Sequence, residues 1–74
     1  MKKKFDVKKL HEFYMQIWEK RKVNGRNYSE VSGKLLPKEP ITLFFEHLLE
    51  KSKYPNLIFE EKNIILVTSE EQEL

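Results

Sequence analysis

Seventy-four residues without a cysteine leave room for one core and exclude disulfide staples, thiolate metal sites and cysteine nucleophiles. Charged residues make up 35% of the chain yet leave a net charge of only +2, which fits a soluble protein better than a uniformly basic nucleic-acid binder. The balance is uneven: residues 1–27 carry nine Lys or Arg against three acids, and residues 28–74 carry five against nine.

The start, MKKKF, has the basic character of a signal peptide. The DVKKLHEF behind it is mixed rather than apolar, so a cytoplasmic protein without a secretory leader is expected. The apolar runs in ITLFF and NIILV are too short to span a bilayer, so no membrane partner is expected. Val7, Leu10, Tyr14, Ile17 and Trp18 recur at helical spacing, with Phe13 on the flank, and predict a first helix. Asp6 is placed to cap it, and Phe5 and Leu10 are placed as a hydrophobic staple. The helix is expected to run to about Lys22 and to stop at Asn24-Gly25.

A second, shorter helix is expected from the capping-box shape of Asn27 to Glu30, with Tyr28, Val31 and Leu35 on one face. Gly33 weakens it and Pro37 ends it. After the turn PKEP, Pro40 suits a first helical position. Ile41, Phe44, Phe45, Leu48 and Leu49 then follow the spacing of a core-facing third helix, which Pro55 stops. LIFEE and IILVT read as two strands of a hairpin turning at Lys62-Asn63, pairing Phe59 with Leu66 and Ile58 with Val67. The polar tail, residues 69–74, is expected to fray. The chain is thus expected to be one α+β domain, residues 1–74 with a core over about 6–68, of three helices followed by a C-terminal two-stranded hairpin.

In layout this resembles a winged helix-turn-helix domain over about residues 6–68. YSEVSGKLL would be the positioning helix, PKEP the turn, PITLFFEHLLEKSK the recognition helix and LIFEEKNIILV the wing. The resemblance implies a small DNA-binding regulator of transcription or replication, with duplex DNA as partner and a homodimer as a fitting assembly for so small a footprint. The candidate phosphate and base contacts are Arg21, Lys22, Arg26, Lys34, Lys38, Thr42, Lys53 and Lys62.

Charge supports a second reading. The outward face of the expected third helix carries Leu43, Glu46 and Glu50, and the hairpin tip carries Glu60 and Glu61. Carboxylates work against a phosphate contact. Those five residues are instead a candidate interface with a host protein, as in a small phage- or plasmid-type inhibitor or adaptor. Catalysis is not expected. His11 and His47 lack metal-ligand spacing, Glu60 and Glu61 alternate across a strand, and no glycine-rich phosphate loop exists, so no cofactor or metal is assigned.

Overall fold

Asp6 begins the one α-helix of the fold, in a computed structural model that describes residues 6–72. Its extended backbone (φ −87°, ψ 113°) turns the carboxylate onto the N–H groups of Lys8 and Lys9, the N-cap expected from sequence. Such a cap stabilises a helix by about 1 kcal/mol. Helix α1 (Val7–Lys20) buries Leu10, Tyr14, Ile17 and Trp18, four of the five stripe residues. Val7 is 69% exposed, because the first turn overhangs the core. Phe5 and Lys2 to Lys4 lie outside the described residues, as do Glu73 and Leu74. The helix ends at Lys20 rather than near Lys22, because Arg21 leaves helical geometry and sends its guanidinium inward.

Asn24-Gly25 does more than stop the helix. Both residues have positive φ (54° and 77°), and Val23 and Arg26 exchange backbone hydrogen bonds of 2.8 and 3.1 Å across them. Positive φ at both central positions is the requirement of a type I′ hairpin turn, which Asn-Gly meets best. The chain then runs into a ribbon in which residues 27–29 face residues 34–36. Tyr28 pairs with Leu35, and Leu36 donates to the Asn27 carbonyl.

The expected second helix is therefore absent. Its supposed capping residues are engaged elsewhere: Asn27 Nδ2 donates to the Trp18 carbonyl in the last turn of α1, and Glu30 reaches a strand. Ser29 Oγ accepts from Val31 and Ser32 N–H, and Gly33 sits at φ 81°, so the segment folds back as a turn.

The expected third helix is absent as well. Thr42–Phe44 makes a single 3-10 turn, and the chain then extends as β1 (Phe45–His47). Only Phe44 and Phe45 of the apolar set are buried, while Ile41, Leu48 and Leu49 are exposed. Thr, Phe and His are weak helix formers, and pairing with a distant strand overrides the helical spacing. That strand is β2 (Ile64–Leu66), antiparallel to β1 with Phe45 opposite Leu66 and His47 opposite Ile64.

The hairpin expected at Lys62-Asn63 does not form. Neither residue has positive φ, and residues 61–63 make a 3-10 turn. Asn63 is instead a buried knot: its side chain accepts from Leu49 N–H and donates to the carbonyls of Leu49 and Leu57. Among the described residues the fold is a small α+β arrangement of one α-helix and one two-stranded sheet, so the three-helix, winged-helix-like layout does not hold.

Helix and sheet meet through aromatic rings. Tyr14 stacks on Phe45 at 4.4 Å between centroids, and Trp18 stacks on Phe44 at 5.9 Å. Leu36, Ile58, Ile64 and Leu66 complete the core. Burying each such side chain contributes about 1.5–3 kcal/mol. No helix among the described residues is long and apolar enough to cross a membrane.

Candidate protein-docking groove at a sheet edge

Strand pairing decides which backbone groups face outward. Val67 N–H donates to the Phe44 carbonyl and Leu48 N–H to the Asn63 carbonyl, so the residues between them, Phe45 and His47, direct their N–H and C=O away from β2. On that outer edge of β1, Gln72 Nε2 donates to the carbonyls of Leu43 (3.1 Å) and Phe45 (3.3 Å). A glutamine side chain thus occupies an acceptor position on Phe45 that a neighbouring strand would fill, while the Phe45 N–H is taken by the Thr42 carbonyl of the preceding turn.

Gln72 is held there by a capping box. Thr68 Oγ1 accepts from Glu71 N–H, and the Glu71 carboxylate accepts from Thr68 N–H, with residues 68–71 forming one turn in the segment expected to fray. Glu71 also accepts from Ser29 Oγ at 2.6 Å, tying the turn to the ribbon. The Ser29 hydroxyl, then Ser32 and Thr68, hold the Glu71 carboxyl at a pKa of about 2.

Beside this edge runs a groove of about 1080 Å³. It touches both Glu46 and His47. Successive residues of a strand point to opposite faces, so a groove that meets both must follow the edge itself. On the helix side lie Tyr14, His47 and Ile58. His47 Nε2 shares a 2.9 Å hydrogen bond with the Ile58 carbonyl. Burial pushes the His47 pKa down, the Ile58 hydrogen bond opposes that shift, and the Lys51 charge adds to it. The imidazole is therefore neutral at pH 7, and the groove's charge comes from Glu46, Glu50 and Lys51.

Of the residues picked from sequence as a protein interface, Leu43, Glu46 and Glu50 line this one groove. They come together on an extended strand and its flanks rather than on the expected helix. Glu60 and Glu61 are not part of it. Glu60 accepts from Lys62 N–H to start the 3-10 turn. Glu61 pairs with Lys20 at 2.7 Å, and that hydrogen bond holds its carboxyl below the usual range.

Of the candidate DNA-contacting residues, both arginines are turned inward. Arg21 donates to the carbonyls of Ile64 (2.8 Å) and Glu61 (2.7 Å) and to the Glu30 carboxylate. Arg26 donates to the Leu36 carbonyl, and its Nε is buried without a partner among the described residues. These are the chain's two arginines, and both point into the fold. Lys22 pairs with Glu19. Lys34, Lys38, Lys53 and Lys62 are exposed, and Thr42 lines the groove.

Sequence reasoning missed Gln72, Tyr14 and Ile58 as site residues. The signal for the first was the T-S-E-E spacing of a capping box just before it. Among the described residues no group of three His, Asp or Glu is placed to hold a metal ion. Comparison with protein-family models, curated protein sequences and solved structures returns no match.

Proposed function

We propose that this chain is a small protein-interaction module, an adaptor or inhibitor that docks a partner protein in the groove beside β1. The observation that carries this reading is the convergence of Leu43, Glu46 and Glu50 on one groove, with Leu43 and Leu48 exposed at 48% and 56%. Exposed leucines over an aromatic floor, rimmed by charged side chains, have the anatomy of an interface core within a polar rim. The inward arginines add to it, because arginine is the side chain best suited to fork onto phosphate or guanine. The DNA-binding expectation rested on a three-helix frame that the fold does not have.

The test is affinity capture with the wild-type chain and with Leu43→Lys, followed by titration of the purified partner. Placing a lysine in the groove is expected to weaken binding by about tenfold or more. Val31→Lys, on the ribbon, leaves it unchanged. Equal binding by wild type and Leu43→Lys would remove the groove as the site. A salt-dependent duplex complex in a low-salt gel shift, weakened by charge removal at Lys34, Lys38 or Lys62, would replace this reading with a nucleic-acid one.

A further inference from the structure

We infer that the partner enters this groove as an extended segment, adding a third strand to β1 in the place held by the Gln72 side chain, with side chains that alternate apolar and basic. The inference rests on the protein-interaction reading above and names the kind of partner that fits it.

Three observations converge on it. The outer edge of β1 presents the His47 backbone and the Phe45 carbonyl, the Phe45 N–H being taken by the Thr42 carbonyl, and among the described residues the Phe45 carbonyl is met by the Gln72 side chain. The covering group is chemically telling. An amide group donates to the Phe45 carbonyl of β1 and to the Leu43 carbonyl of the turn before it, so the occupant that replaces Gln72 must bring amide N–H groups of its own, as an extended backbone does. The groove is lined by all three residues of β1 together with Gln72, so a segment seated in it lies beside the strand.

The two faces differ, and the difference sets the partner's pattern. Side chains of an added strand point alternately to the two faces. On one they meet Tyr14, His47 and Ile58, aromatic or apolar groups with a neutral imidazole. On the other lies Glu46, the residue of β1 between Phe45 and His47. Glu50 adds a second carboxylate against the single ammonium of Lys51, so the rim favours a cation. A second copy of this chain fits less well, because antiparallel pairing of two β1 strands about Glu46 would bring like charges together.

The experiment uses a capped hexapeptide alternating valine and lysine, titrated into the full chain while the amide resonances of Phe45 and His47 and the side-chain amide of Gln72 are followed by NMR. All three are expected to shift together. A valine–glutamate peptide is expected to bind about tenfold more weakly or worse. So is a valine–lysine peptide N-methylated at the amides facing β1, which keeps its side chains and loses its main-chain donors. Gln72→Ala, which removes the competitor, is expected to tighten binding about three- to tenfold.

Binding unchanged by N-methylation, no binding of the valine–lysine peptide, or weaker binding to Gln72→Ala would each overturn the added strand. Concentration-dependent dimerisation of Gln72→Ala in sedimentation would do so too, by seating a second copy on the edge. Capture of a partner that still depends on Leu43 would in those cases leave the module reading standing. Capture indifferent to Leu43→Lys removes the module reading first.

Discussion

The two edges of the same small sheet are closed by different means. At the outer edge of β2, the Ile64 carbonyl receives Arg21, while Leu66 donates to the Glu30 carboxylate and accepts from the Glu30 N–H. Arg21 and Glu30 also pair with each other at 3.0 Å, so a charge-assisted network locks helix end, ribbon and strand together. At the outer edge of β1, a neutral amide from Gln72 does the covering. An exposed strand edge is a template for further pairing, and proteins blunt it where pairing is unwanted. Here one edge is closed by a charged network from within the fold, and the other is met by one side-chain amide from the tail.

That contrast can be broken by mutation, and the largest effect is expected at Arg21. Arg21→Met strands the carbonyls of Glu61 and Ile64 and unpairs Glu30, and should lower stability by about 2–4 kcal/mol in urea unfolding followed by circular dichroism. A loss under about 0.5 kcal/mol would mean that the β2 edge is not sealed by this residue. Glu30→Ala leaves the Leu66 N–H without its acceptor and should cost about 1–3 kcal/mol. The double variant should fall short of the sum of the two, because both single changes break one shared network.

The covering of β1 should respond far less. Gln72→Ala should change global stability by no more than about 0.5 kcal/mol. A larger loss would make the β1 edge as structural as the β2 edge and erase the distinction. The smallest effect is the pH response of the clasp that holds Gln72. Its Glu71 carboxyl titrates at 4.5 without its partners and at about 2 within the fold. The clasp's stabilisation is therefore fully present above about pH 4.5 and is lost as the pH falls towards 2. The protection of the Gln72 side-chain amide and the Ser29 N–H, taken relative to intrinsic exchange at each pH, should fall over that window in the wild type, and Glu71→Gln should have lost most of that dependence. Equal pH responses in the two proteins would remove Glu71 as the clasp.

What the sequence made legible follows from how local each signal is. The α1 stripe and the Asp6 cap are contained within a few turns, and both are present as read. The Asn24-Gly25 pair carries two meanings in sequence, a helix stop and a I′ turn, and the fold uses it as the turn. Residues 41–49 carried a helical spacing that was real in the sequence and irrelevant to the fold. The backbone of Phe45 to His47 is matched by residues nearly twenty positions later, and no local window contains that information. The apolar hairpin signal in residues 57–67 failed for a related reason. Asn63 had a better use for its amide, as a buried tie between Leu49 and Leu57, than a turn without glycine offered. The groove was half legible: Leu43, Glu46 and Glu50 were picked for chemistry that suits a protein surface, whereas Gln72 joins them only through the course of the tail.

Trp18 is the chain's one tryptophan, 2% exposed, with its ring against both Phe44 and Phe45 and outside the groove lining. Its emission colour is therefore a gauge of the helix–sheet junction alone. It should stay blue when Gln72 is displaced or a strand is added at β1, and turn red when the junction opens on unfolding. One optical signal, read without a label, thus tells an occupied edge from an unfolding protein.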